Sequence, residues 1–154
     1  MNEPHHMTPT SLADYLDAMS RAVFSSGISW KVIEAKWDGI RPAFDGFDPE
    51  RIAAYTPDDV DRLMADTRVV RNRQKIEATI ANAGELIVTD REFDGFDNYL
   101  RSFPDNDALV SDLHVRFKFL GVSVAHMFLY GVSFDMPAQE AWAHEHFANA
   151  QHRR

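Results

Sequence analysis

The sequence contains no cysteine, which excludes disulfides, thiolate nucleophiles and any zinc or iron–sulfur site that needs a thiolate. Glycine and proline are sparse, at 7 each in 154 residues, so collagen-like, linker-dominated and low-complexity chains are excluded as well. No apolar run approaches the length of a membrane span, and Met1 to Thr10 lacks the apolar stretch of a secretory leader. No nucleophile elbow, phosphate-binding glycine loop or dinucleotide fingerprint occurs. Cations are in deficit too: 16 Lys and Arg against 24 Asp and Glu give a net charge of −8. A summed field of that sign opposes non-specific attraction to polyanions and leaves only a local basic face to bind one. What is present is 45% apolar residues, enough for the core of one domain. The expectation is a soluble, cytoplasmic protein.

Helical periodicity dominates. After Ser11, the residues Leu12, Tyr15, Leu16, Met19 and Val23 recur at spacings of three and four, and Ser11 with Asp14 has the form of a capping box. Ser25-Ser26-Gly27 interrupts this pattern, and a second helix follows through Val32, Ile33 and Trp37 until Gly39 and Pro42 break it. Asp48-Pro49-Glu50 and Thr56-Pro57-Asp58-Asp59 each place a capping side chain before a proline and so open two short helices. From Arg71 to about Ile87, Ile76, Ile80, Ala83 and Ile87 mark one apolar stripe. Further helices are expected at 92–103, 108–116, 122–130 and 138–148. Strand alternation is weak throughout, so the fold is expected to be all-α, one compact domain over residues 11–150. Residues 1–10 are expected as a flexible tail, and Gln151 to Arg154 as a short C-terminal one.

Three segments could carry chemistry. In Arg116-Phe117-Lys118-Phe119-Leu120-Gly121-Val122-Ser123, a short hairpin opens a helix at glycine. The amides of Gly121, Val122 and Ser123 then face outward at the positive end of a helix dipole, where phosphate can dock with Lys118 as counter-charge. The competing reading makes Gly121 a plain helix boundary and Phe117, Phe119 and Leu120 core. The segment from Arg68 to Lys75 holds four cations and no acid, with Arg68, Arg71 and Lys75 on one side of a helix. It reads either as a cationic stripe or as a solvated helix start paired with neighbouring carboxylates. In Gly27-Ile28-Ser29-Trp30, Trp30 offers a face on which an extruded base could stack, or else is a core indole. Glu140 and His144 share a helical face, but no third ligand accompanies them, so neither a metal nor another cofactor is expected.

Taken in order, several segments resemble the DNA-3-methyladenine glycosylase I family, a branch of the helix-hairpin-helix glycosylases. They are Gly27-Ile28-Ser29-Trp30; Ala43 to Pro49 with Ile52-Ala53; Asp58-Asp59-Val60 with Leu63-Met64; Val70 to Ile76; Asn82-Ala83; and Phe117 to Gly121. The resemblance runs roughly from Met19 to Val132. It implies a helical protein that binds damaged duplex DNA, extrudes an alkylated purine and hydrolyses its N-glycosidic bond, with no membrane and no obligate protein partner. A purine alkylated at N3 is cationic and departs neutral. Such a site needs mainly to stack the base and stabilise the developing sugar cation, and no catalytic acid or base is assignable.

The resemblance carries Trp30 over as the base-stacking residue and Lys118 to Ser123 as the DNA clamp. Arg71 and Arg73 are candidate DNA contacts, and Phe24 is expected to line the base pocket. Trp30 and the hairpin are then expected to border a common hollow. This chain also departs from the family. It has Ala22 where the family has a base-reading glutamate, Arg116 where the hairpin usually has glycine, and none of the Cys of the family's zinc site. Glu34 and Asp112 are candidates to replace the missing carboxylate, and Arg116 adds a candidate phosphate-binding cation. Two alternatives remain: a non-catalytic helix-hairpin-helix DNA-binding protein derived from a glycosylase, and a helical scaffold that binds proteins through its acidic surface and the segment Trp142 to Phe147.

Overall fold

The computed structural model describes the backbone of residues 3–152 and the side chains of residues 3–146. Among the described residues there is no strand. The helices are α1 (Leu12–Ser25), α2 (Trp30–Ala43), α3 (Pro49–Ala53), α4 (Pro57–Met64), α5 (Arg73–Glu92), α6 (Phe96–Leu100), α7 (Asn106–Arg116), α8 (Val122–Gly131) and α9 (Met136–His152), with a 3₁₀ turn at Asp45–Phe47. The fold is all-α. Most starts follow the capping chemistry visible in the sequence. Side chains of Ser11, Ser29, Asp48, Asn72 and Asp105 accept first-turn amides, and Thr56 with Asp59 forms a capping box.

Differences from the sequence reading trace to burial. Gly39 and Pro42 do not stop α2, because Ile40 and Ala43 are buried and Pro42 stands in the last turn, where its missing N–H removes a single bond. Helix α5 runs on to Glu92 because Leu86 and Thr89 are fully buried. The expected helix at 92–103 shrinks to Phe96–Leu100, since Asp94 (φ 54°) and Gly95 (φ 136°) break the chain. At the C-terminus, α9 continues through Gln151 to His152, while Arg153, Arg154 and the side chain of Phe147 lie outside the described residues.

Helix α1 is the central element. Its Leu16, Met19, Val23 and Phe24 are at most 1% exposed, and α2, α5 and α8 pack around it. Aromatic rings fill the core at both ends. Phe24, Phe44, Phe47 and Trp37 form one cluster, with Trp37 stacked on Phe47 at 5.1 Å. Phe96, Tyr99, Phe117 and Phe128 form the other. Helix α9 docks on α8 through a stack in which Trp142 lies between His126 and His146, at 4.5 and 4.2 Å.

A buried polar network pins α1 to α2. Asp17, 3% exposed, accepts from Arg21 Nε at 2.7 Å and from Trp37 Nε1 at 3.1 Å, and pairs with Arg41 at 3.6 Å. Arg21 also donates through Nη1 to Glu34 at 2.8 Å, and its guanidinium lies over the Trp37 ring. Residues 3–10 form an extended strap across the end of α8. The Met7 amide donates to the Gly131 carbonyl at 3.0 Å, Tyr130 donates to Glu3 at 3.0 Å, and His6 meets Ser133 and the edge of Tyr130.

Candidate DNA interface and base pocket

Two polar side chains on one face of α5 position the candidate site. Lys75 and Asn82 are seven residues apart, so they point the same way, about 10 Å apart along the helix axis. Lys75, 6% exposed, donates from Nζ to the carbonyls of Phe24 (3.3 Å) and Ser26, at the end of α1. A cation suits these carbonyls at a helix C-terminus, while burial pushes the amine's pKa down. Lys75 thereby fixes the α1–α2 turn that carries Trp30. Asn82, 2% exposed, donates from Nδ2 to the Lys118 carbonyl at 3.1 Å and accepts the Lys118 amide at 2.7 Å. That pair of bonds fixes the hairpin between α7 and α8.

The hairpin itself is built for backbone approach. Helix α8 starts at Gly121 with no side-chain cap, unlike α1 to α5 and α7, so its first amides have no cap to satisfy them. Gly121 has ordinary extended backbone (φ −65°, ψ 175°), and a Cβ there would meet no protein atom. Its bareness therefore serves nothing inside the fold and leaves the amides of Val122 and Ser123 open to a ligand. Phe117 and Leu120 are core, as the competing reading held, but Phe119 is 42% exposed with φ 62°, and Val122 is 54% exposed. We expect Asn82→Ala to cost about 1–3 kcal/mol, measurable by denaturant titration, because it strips both partners from the Lys118 peptide groups. Duplex affinity should fall with it, since the loosened hairpin no longer holds its amides in register.

Ion pairing sorts the cations. Arg68 is paired with Asp66 (2.7 Å), and Arg73 with Asp61 (3.1 Å) and Glu77 (4.0 Å). Lys75 is buried, so the expected stripe of Arg68, Arg71 and Lys75 reduces to Arg71. Arg116 does not face a ligand either. It is held by Asp112, Glu92 and Thr89 and lies over the rings of Phe93 and Tyr99. Asp112 is correspondingly occupied, accepting from Tyr99 at 2.6 Å as well as from Arg116. Among the described residues, and apart from Lys75, which is bound to carbonyls, Lys31, Lys36, Arg71, Arg91 and Lys118 have no carboxylate partner. Three of these, Lys31, Arg71 and Lys118, lie at the α1–α2 turn, the start of α5 and the hairpin.

Trp30 is the first residue of α2, half-buried, with Lys31 Nζ 5.8 Å from its ring centre. It is not a core indole. Phe24, by contrast, is fully buried against Phe44, so it is a core residue and does not line a pocket. Ala22 borders a small hollow whose floor is Ala18, Met127 and Gly131, whose wall is Asp17, Arg21 and Glu34, and whose cover is the strap at Pro4, His5 and Met7. The space left is about 10 Å³, room for one water. A wider open groove of about 520 Å³ lies along the strap's other side, lined by Tyr15, Asp97, Arg101 and Phe134 among others. Neither space is bordered by Trp30 or by the hairpin. The α1–α2 turn and the hairpin, the two features expected to share a hollow, are each fixed from one face of α5.

A hairpin with free amides joining two helices, anchored from a long neighbouring helix in an all-helical domain, defines a protein of the helix-hairpin-helix class. The sequence profile described as methyladenine glycosylase matches residues 13–119, and the chain belongs to that family. It is 32% identical over 88 residues to the DNA-3-methyladenine glycosylase of Haemophilus influenzae, covering 57% of this chain and 48% of that one. The match thus spans about half the length of that relative. Against DNA-3-methyladenine glycosylase 1 of Escherichia coli it is 30% identical over 125 residues, covering 68% and 67%. The structure of a Staphylococcus aureus 3-methyladenine DNA glycosylase I superposes with a TM-score of 0.75 at 26% identity, covering 87% of this chain and 83% of that one. A second 3-methyladenine DNA glycosylase I structure gives 0.74 at 26% identity, over 85% and 84%. The zinc site implied by the resemblance does not fit this chain: cysteine is absent, and among the described residues no three His, Asp or Glu converge.

The anchoring roles of Lys75, read as part of a cationic stripe, and of Asn82 escaped the sequence reading. Their signal was a seven-residue spacing alongside the buried Ile76 and Ala83, where a solvated face would not be expected.

Proposed function

We propose that the protein is a base-excision glycosylase that extrudes an alkylated purine from duplex DNA and hydrolyses its N-glycosidic bond. The observation that carries this reading is the shared α5 face. It holds the turn that carries a half-buried indole and an uncapped helix start in fixed relation, and three cations without carboxylate partners, Lys31, Arg71 and Lys118, lie at the α1–α2 turn, the start of α5 and the hairpin. In this reading the amides of Val122 and Ser123 hold a backbone phosphate, with Lys118 and Arg71 as counter-charges. Arg73 contributes only by exchanging its carboxylate partners for phosphate. Trp30 stacks the extruded base. Water attacks the sugar as the neutral purine leaves, so no strong base is needed. Because the hollow at Ala22 holds no more than a water, a purine enters it only by displacing Pro4–Met7.

Family membership supports the reading, as do the names of the relatives. The closed hollow and Ala22 favour a second reading, a DNA-binding protein that has lost catalysis. Incubating the protein with methylated duplex DNA and analysing the free bases separates the two. Release of 3-methyladenine at a rate proportional to enzyme is the expected result. Salt-dependent duplex binding with no released base selects the non-catalytic reading.

A further inference from the structure

We infer that Phe119 sets the sugar preference of the hairpin, favouring deoxyribose over ribose, an inference that rests on the hairpin being the clamp for a nucleic-acid backbone. Exposed large apolar side chains are few and unevenly placed. Among the described residues they are Ile28, Val32, Val88, Val115, Phe119 and Val122, and the last three belong to the hairpin or flank it. Phe119 stands apart from the other five in its backbone. At φ 62° it takes the left-handed conformation that glycine adopts freely and that a bulky side chain adopts at a cost. The fold gains little from the ring in return: among the described residues no other aromatic ring and no cation lies against it.

The groups around Phe119 decide what the ring can meet. Before it in the chain, the Lys118 amide and carbonyl are both taken by Asn82, at 2.7 and 3.1 Å. After it, the Leu120 carbonyl accepts from His114 Nδ1 at 3.2 Å. Those polar groups are already engaged, and the phenyl ring stands exposed between them. A few residues further on, the amides of Val122 and Ser123 open to a phosphate, with the exposed Val122 side chain beside them and Lys118 free of any carboxylate. A strand whose phosphate sits on those amides carries a sugar on either side of it, so the ring is what the hairpin tip offers to a sugar. Deoxyribose presents a C2′ methylene, which an apolar surface covers without loss. Ribose presents a 2′-hydroxyl, which loses its water and gains no partner from a phenyl ring. The penalty does not depend on the bases, so it lets a clamp that holds only the backbone prefer DNA.

The test compares wild type, Phe119→Asn and Phe119→Gly on duplexes that share one DNA strand and differ in the other, which is deoxy, 2′-fluoro or ribo. Fluorine keeps a ribose-like sugar pucker without a hydroxyl, so the 2′-fluoro and ribo duplexes separate the hydroxyl from the shape of the helix. Asparagine and glycine both accept a left-handed backbone, and thermal melting confirms that the fold is retained. By fluorescence anisotropy, wild type is expected to bind the ribo duplex at least about fivefold more weakly than the 2′-fluoro duplex, the lower end of what a desolvated, unpaired hydroxyl costs. Glycine removes the ring and asparagine replaces it with an amide able to pair with the hydroxyl, so each should bring the two affinities to within about twofold of each other. Equal binding of the two duplexes by wild type, or a gap that survives in Phe119→Gly, would overturn the inference. An equal loss on all three duplexes in both variants would do the same, since the ring would then be a general apolar contact. Base release from methylated duplex DNA is followed in parallel. Release without a sugar preference removes the role of Phe119 and leaves the glycosylase reading standing. A sugar preference that both variants erase, with no base released, keeps that role and removes the glycosylase reading. Absence of binding to every duplex overturns the clamp and the inference together.

Discussion

Trp30→Ala should slow base release from methylated duplex DNA by roughly 5- to 150-fold, the rate equivalent of the ~1–3 kcal/mol that stacking one base on an aromatic ring contributes. The loss should fall on the base and not on the backbone. Trp30 stands on the α1–α2 turn, whereas the phosphate-gripping amides belong to the start of α8, and the two are joined only through α5. Duplex affinity measured by fluorescence anisotropy on undamaged DNA should therefore stay within a few-fold of wild type. Trp30→Phe should recover much of the rate, because a flat apolar ring remains at the same position. Wild-type rates in Trp30→Ala would show that the indole does not touch the base.

The largest stability effect is expected at Asp17. Replacing it by alanine leaves Arg21 without its nearer partner and the Trp37 N–H with no acceptor, in a site only 3% exposed. Breaking a buried charged pair in this way costs about 3–5 kcal/mol. For a chain of this size that corresponds to a drop of roughly 6–20 °C in melting temperature, read by calorimetry. Asp17→Asn should cost less, since its amide oxygen can still accept from Trp37 while the charge is lost. The effect falls on the α1–α2 packing, since without Asp17 the Arg21 guanidinium keeps only Glu34 as a carboxylate partner.

The Arg68–Lys75 segment illustrates how sequence reading succeeds and fails. Its cations were visible, and so was the fact that they fall near a helix start. Which of them face solvent unpaired depends on Asp61, Asp66 and Glu77, whose distances no spacing rule supplies. Lys75 read as one member of a cationic stripe with Arg68 and Arg71 and is the most buried of the set, because the end of α1 brings two bare carbonyls against it. Arg116 looked like an added phosphate ligand. It is instead spent on Asp112, Glu92 and two aromatic rings, contacts that arise only when α5, α6 and α7 meet. Phe24 lay beside the right turn but on its core side.

The sequence by itself determined the class of fold, the positions of most helix starts and the family. These rest on local chemistry: a capping oxygen, a proline at the first helical position, an apolar residue every three or four, and a set of short segments in fixed order. Tertiary structure alone decided which cations are available, that Asn82 and Lys75 are anchors, and that the strap from Glu3 to Thr10 covers the hollow at Ala22. The reason is physical: pairing, burial and free volume belong to groups far apart in the chain, and they have no value until packing brings those groups together.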